Sequence, residues 1–259
     1  MMGINHLKKK LKAGRQVLGT WCVVDSPMVA DIIATAGLDF VIIDAEHGPI
    51  SYETAQRMVM ACESHDISPV MRVGKIDEVS ISRALDIGIH GLQIPHISTA
   101  ENAKKFVKFA KYSPIGVRGF SPYTKAGLYD VTTSAKLPKI ANDNVLLIAN
   151  IEGKEGIKNI EAISKVEHID VLFIGLFDLS NSLGIPGDVE NPKVIEELKK
   201  TIKIVKKSGK KIGSIATNKK MLEQFIRFGV DYITYSVDSG VIKEAYTEVV
   251  GVFKRARGN

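Results

Sequence analysis

The chain has 259 residues, enough to bury a full-sized core without requiring a second domain. Its 45% hydrophobic and 25% charged content excludes intrinsic disorder, a collagen-like repeat and a disulfide scaffold. The net charge of +6 is spread over stretches such as 199–211 and over Lys104, Lys105, Lys108 and Lys111. These read as solvated helix faces, and no nucleic-acid partner is expected.

The chain opens on MMGINHLKKKLKAGR, a basic run with no apolar segment behind it, so residues 1–15 read as an N-terminal helix and not as a secretory signal. Apolar runs then follow at 17–24, 40–45, 69–73, 91–97, 145–151, 171–175, 211–216 and 232–237. Most are near-continuous in Val, Ile and Leu, as strands buried on both faces require. Between them apolar residues repeat at helical spacing. Met28, Val29, Ile32, Ile33 and Ala36 form one stripe, and Ala55, Met58, Val59 and Cys62 a second. Ala103, Phe106, Val107 and Ala110 form a third, and Met221, Leu222, Phe225 and Ile226 a fourth. Ser26-Pro27 reads as an N-cap with proline at the first helical position, and Gly37, Gly88 and Gly229 as helix stops. Eight strand–helix units in this length predict an α/β protein folded as a single (β/α)8 TIM barrel, with an open doubly wound sheet as the weaker alternative. Residues 112–144 read as one long loop, and 239–259 as a C-terminal helix. Cys22 and Cys62 make no ligand pair, and no apolar stretch nears the roughly 20 residues of a membrane span. A soluble, cytoplasmic protein with no membrane partner is expected.

Polar residues collect where the apolar runs end. Asp44, Glu46 and His47 close the second run, Arg72 the third, Gln93 and His96 the fourth, Asn150 and Glu152 the fifth. Asp178 follows the sixth, Ser214 and Thr217 the seventh, and Asp238 the eighth. In a barrel this face carries the active site. Glu152 and Asp178 follow neighbouring strands, and two carboxylates there call for a cation; an all-oxygen donor set favours Mg²⁺ or Mn²⁺. The alternative is that each caps the helix behind it. Arg72 faces either an oxyanion or a structural carboxylate. Asp44 lies three residues before His47 and could orient its imidazole as a general base. No nucleotide, zinc-protease or nucleophile-elbow motif is present, and Schiff-base chemistry finds only Lys75 and Lys154, both past the strand ends.

From about Leu18 to about Val250 the chain resembles the HpcH/HpaI aldolase family, metal-dependent class II pyruvate aldolases related to the citrate lyase β-subunit. The resemblance rests on Gly19-Thr20-Trp21, Asp44-Ala45-Glu46-His47-Gly48-Pro49, Arg72-Val73, Leu85-Asp86-Ile87-Gly88-Ile89, Gly116-Val117-Arg118-Gly119, Ile151-Glu152 and Phe173-Ile174-Gly175-Leu176-Phe177-Asp178-Leu179-Ser180. It implies a barrel of the phosphoenolpyruvate/pyruvate type that makes or cleaves a carbon–carbon bond of 4-hydroxy-2-oxo acids through a pyruvate enolate, with an aldehyde as the other partner. It implies that Glu152 and Asp178 hold a divalent ion, which chelates the pyruvyl carboxylate and keto oxygen. Arg72 would stabilise the enolate oxygen, and His47 with Asp44 would move protons. Asp86 matches a family acidic position near the site or a subunit boundary. Trp21, Asn150, Gly175 and Phe177 would line the substrate pocket, and backbone amides of 175–178 would receive the carboxylate. Three departures stand out: Gly-Leu-Phe-Asp at 175–178 replaces the usual Gly-Pro-x-Asp, Asn150 stands where a Gln is common, and the loop Phe120–Asp130 reads unlike that of common members. The resemblance also implies a homo-oligomer, usually a hexamer, with the last helix packed on a neighbour. A thioester lyase of the citrate or malyl-CoA type, hinted at by basic residues at 111–125, and a non-catalytic scaffold are the competing readings.

Overall fold

The computed structural model describes residues 5–132 and 134–258. In chain order the elements are α1 (His6–Lys12), β1 (Val17–Cys22), α2 (Pro27–Ala34), β2 (Phe40–Asp44), α3 (Tyr52–Ser64), β3 (Ser68–Arg72), α4 (Glu78–Asp86), β4 (Gly91–Ile94) and α5 (Ala100–Ala110). They continue as α6 (Leu137–Asn144), β5 (Leu146–Ile151), α7 (Lys154–Lys158), α8 (Ile160–Ser164), β6 (Val171–Ile174), α9 (Leu176–Ser182), α10 (Pro192–Lys207), β7 (Lys211–Ala216), α11 (Lys219–Phe228), β8 (Tyr232–Val237) and α12 (Asp238–Ala256). Each strand pairs in parallel with the next, and β8 closes on β1. The (β/α)8 barrel is the expected one.

Alternation along the strands builds two cores. In β2, Phe40 and Ile42 point into the barrel while Val41 and Ile43 pack outward against helices. Phe40 stacks on Tyr232 inside the barrel, with ring centroids 4.1 Å apart. The end of the barrel where strands begin is plugged by α1, whose Leu7 and Leu11 join the interior cluster. The Asn5 amide donates to the carbonyls of His90 and Asn144, and Lys8 Nζ donates to Val145 O, which ties the plug to the start of β4 and β5. The expected basic N-terminal helix is therefore a stopper with an apolar face; residues 1–4 of that expectation, and residue 259 of the C-terminal one, lie outside the described residues.

Four details differ from the sequence reading. First, β1 stops at Cys22 because the Val23 and Val24 amides donate to the buried Asp238 carboxylate, 3.1 and 3.0 Å away. Asp238 is thus a clasp between β1 and α12 and faces no substrate. Second, β4 stops at Ile94, since Pro95 has no amide hydrogen and His96 adopts a left-handed φ of 57°. Third, the end of the expected 112–144 loop is the helix α6. Fourth, the stripe on α2 is only partly buried: Val29 and Ile33 pack against the core beside Ala30 and Ala34, while Met28 and Ile32 stand in solvent. The stripes on α3 and α5 are buried as expected, and that on α11 is buried only at Met221 and Phe225.

Candidate active site

A cleft of about 390 Å³ opens at the end of the barrel where the strands finish. It is lined by Trp21, Asp44, His47, Arg72, Asn150, Glu152, Gly175, Phe177 and Asp178, which the sequence scatters over more than half the chain. Asp86 is absent from it. This residue ends α4, ahead of β4, and so sits at the opposite end of the barrel, where it accepts from Arg118 Nη2 at 2.7 Å. A role for Asp86 in the cleft of its own chain is ruled out by that placement.

Strand register brings the first pair together. Asp44 and Arg72 are direct partners between β2 and β3, and both point into the mouth. Arg72 Nε donates to Asp44 Oδ1 at 2.8 Å and Nη2 to Oδ2 at 2.6 Å, a two-pronged contact that fixes the guanidinium plane. Arg72 Nη1 meets Glu46 Oε2 at 2.9 Å, and the guanidinium lies 4.3 Å over the Trp21 ring. Trp21 is itself pinned, its Nε1 donating to Thr234 Oγ1 at 3.0 Å. The expected Asp44–His47 dyad is not formed. Asp44 reaches His47 only through the backbone amide at 3.5 Å, because both carboxylate oxygens are committed to Arg72; the His47 side chain stands exposed at the cleft wall.

The second pair flanks Gly175. Glu152 lies two residues beyond Asn150, so both project into the mouth, and Asp178 comes from the first turn of α9. A Cβ placed on Gly175 would lie 3.0 Å from Glu152 Cγ, 3.6 Å from its Oε1 and 3.8 Å from Asp178 Oδ2. The glycine thus leaves a cradle between two carboxylates that a methyl group would fill. The helix-capping alternative fails: Gly153 caps α7, Gly175 caps α9, and Asp178 is the third residue of its helix with no side-chain cap bond. Among the described residues, no hydrogen bond or ion pair engages the Asp178 carboxylate, and no three His, Cys, Asp or Glu side chains form a ready metal cage. Two hard oxygen donors beside open space suit a divalent cation that keeps several positions for water and ligand. The amides of Leu176, Phe177 and Asp178 open the helix and find no acceptor within it.

Glu46 and His96 were visible at strand ends but received no role from the sequence, and both belong to the mouth. His96 Nδ1 lies 2.9 Å from Glu152 Oε2, and its Nε2 lies 3.6 Å from Glu46 Oε1. Burial raises the Glu46 carboxyl above its ordinary value; Arg72 opposes the rise and Glu152 adds to it. Deeper in the barrel, Gln93 Nε2 donates to Asn150 Oδ1 at 2.6 Å, and Asn150 Nδ2 donates to Glu152 Oε1 at 3.1 Å. The signal for His96 was its place directly after Pro95, where β4 must end and turn into the mouth.

The profile of the family described as HpcH/HpaI aldolase/citrate lyase matches residues 17–245. The chain belongs to this family. A pyruvate aldolase of Rhizobium etli is 35% identical over 242 residues, covering 92% of this chain and 93% of its own. A 4-hydroxy-2-oxo-heptane-1,7-dioate aldolase of Escherichia coli is 31% identical, covering 93% of this chain and 92% of its own. The crystal structure of an HpcH/HpaI aldolase/citrate lyase family protein from Burkholderia cenocepacia J2315 superposes with a TM-score of 0.91 at 28% identity, covering 96% of this chain and 99% of that one. This HpcH/HpaI family member is a class II aldolase. The basic residues that hinted at a CoA thioester are spent elsewhere in it: Lys111 is buried on carbonyls of Asn142 and Val145, Arg118 pairs with Asp86, and Lys125 pairs with Glu63. All three lie toward the end of the barrel opposite the cleft.

Proposed function

We propose that the protein makes and cleaves 4-hydroxy-2-oxo acids, passing through the enolate of pyruvate with an aldehyde as the second product or substrate. The observation that carries this reading is the charge balance of the mouth. Asp44, Glu46, Glu152 and Asp178 face one guanidinium, Arg72, so an anionic 2-oxo acid would be repelled unless a cation joined them. Glu152 and Asp178 are the residues to hold a divalent ion, Mg²⁺ or Mn²⁺, which when bound supplies a Lewis acid for the developing enolate charge. Arg72, fixed in its plane by Asp44, aims positive charge into the same cleft and stabilises the enolate oxygen. The first-turn amides of α9 receive the substrate carboxylate. His47, exposed at the cleft wall, exchanges the C3 proton through water. Phe177 and Trp21 supply apolar walls, and the buried Leu176 backs the cleft from the core.

Pyruvate C3 proton exchange with added Mg²⁺ or Mn²⁺ tests the reading. Exchange is expected with metal and lost in Glu152→Ala; exchange untouched by that change would refute it. Arg72→Ala should keep metal affinity yet slow exchange by about 3 kcal/mol of barrier, the scale of a lost oxyanion donor. The buried, unpaired thiols of Cys22 and Cys62 support a reducing, cytoplasmic location.

The same reading includes a homo-oligomer. Residues 241–250 of α12 are all exposed, and Ile242, Tyr246, Val249, Val250 and Phe253 make one apolar stripe. The place beside β8 and β1 that a barrel's eighth helix would cover is instead an apolar groove of about 560 Å³, lined by Val29, Ile32 and Ile33 of α2 and Leu222 of α11. Exchange of α12 between subunits fills the groove and covers the stripe together.

A further inference from the structure

We propose that His96 is a positioning residue that fixes how Glu152 meets a divalent ion, reserving Oε2 for itself and leaving only Oε1 to coordinate. The inference rests on the reading above, in which Glu152 holds the ion. His96 has a left-handed φ of 57°, an uncommon conformation for a side-chain-bearing residue. That conformation sets the backbone amide and one edge of the ring against a single atom. The His96 amide donates to Glu152 Oε2 at 3.0 Å, and the ring Nδ1 reaches the same oxygen at 2.9 Å. The amide hydrogen bond and the ring edge at 2.9 Å together leave Oε2 little room to meet an ion. Among the described residues Oε1 accepts only from Asn150 Nδ2, which leaves it one site free. It is also the oxygen beside the Gly175 cradle, on the side of Asp178.

The far end of the ring is placed as well. Nε2 stands 3.6 Å from Glu46 Oε1, and Glu46 Oε2 is held by Arg72 Nη1. The imidazole therefore spans two carboxylates, one anchored through Arg72 and the other turned toward the metal position. Packing does not explain this geometry, because the His96 side chain is 70% exposed. The chemical consequence is a one-oxygen Glu152 ligand. A two-oxygen grip would occupy a further coordination position, and the proposed substrate needs two of them. Outer groups that orient a metal ligand commonly carry 10–100-fold of metal affinity.

Titration of Mn²⁺ into the metal-free protein by calorimetry tests this without reference to turnover. Two variants separate the ring from the backbone. Glycine adopts positive φ without strain, so His96→Gly removes the imidazole alone. Asparagine also tolerates that conformation and offers an amide group, so His96→Asn restores a polar side-chain contact to Oε2. We expect Mn²⁺ affinity to fall about 10–100-fold in His96→Gly and to recover most of that loss in His96→Asn. Metal-free thermal unfolding should match the parent in both. Unchanged affinity in His96→Gly would overturn the proposal, as would an equal loss in the two variants. A metal-free midpoint that fell together with affinity would assign His96 to folding and overturn it too. Glu152→Gln serves as the reference: it should abolish Mn²⁺ binding, and parental affinity in that variant would bring down the metal assignment itself rather than the part played by His96.

Discussion

Lys111 shows how a single buried charge leaves a mark on the stability of the whole chain. It is 1% exposed and donates from Nζ to the carbonyls of Asn142 and Val145. Burial, with the nearby Lys8 charge adding to it, lowers its pKa from 10.5 to about 8. Between about pH 8 and 10.5 the unfolded chain holds this proton and the native chain has released it, so stability rises with pH across that window. Below it both states are charged and the native state bears the cost of burial. Urea unfolding should therefore show Lys111 adding about 2 kcal/mol on going from about pH 7 to about 9.5, and Lys111→Met should lack that gain. An identical pH response in parent and variant would refute the assignment. Residue identity alone did not reveal such partnerships. Asp44 and His47 are three apart in sequence, which suggested a dyad, yet strand register sets Asp44 beside Arg72, and a guanidinium outcompetes an imidazole for both carboxylate oxygens. Arg72, Glu152 and Asp178 were legible because a charged residue at the end of an apolar run has few places to go except the mouth of a barrel.

At the level of elements, the helix α1 is the least conventional part. Seven residues are too few for a stable isolated helix, so its stability comes from docking. Leu11, 2% exposed, and Leu7 fill the end of the barrel that the strands leave open. Leu11→Ala should cost about 2–5 kcal/mol in denaturant unfolding, the range for a buried leucine whose cavity cannot collapse. A loss under about 1 kcal/mol would mean that the plug is only loosely seated. The eight strands were readable because most are β-rich apolar runs buried on both faces, with few polar residues among them. Helix stops at Gly37, Gly88 and Gly229 were readable because all three take positive φ. The same logic locates Asp86: it stands two residues before the Gly88 stop, hence where strands begin, far from the mouth. What the sequence hid were short helices such as α6, whose eight residues carry too few apolar positions to show a period, and the exposed side of α2, where Met28 and Ile32 stand in solvent while Val29 and Ile33 pack on the core.

For the molecule as a whole, the exposed apolar side chains of α2 and α12 set the expected assembly. Val241, Ile242, Tyr246, Val249, Val250, Val252 and Phe253 leave α12 with more exposed apolar surface than a 19-residue helix standing in water would retain. The groove between α2 and α11 meets α12 of its own chain only through its first turns, at Asp238, Val241 and Ile242, and residues 243–250 of that helix are all exposed. One contact satisfies both surfaces, and the catalytic mouth is free of it, since the groove residues of α2 and α11 lie on the outside of the barrel. Ile32 sits in that groove and is 61% exposed in the single chain. Ile32→Asp should therefore leave the fold of one subunit intact, as a surface change usually moves stability by less than about 0.5 kcal/mol. It should instead place an unpaired carboxylate under the incoming helix, where burial without a partner is costly. Size-exclusion chromatography with light scattering should show a smaller assembly than the parent at equal concentration, with unchanged far-ultraviolet circular dichroism. Phe253→Asp, on the other surface of the same contact, should give the same result. A parental mass for both variants would separate α12 from assembly and leave the groove to another occupant.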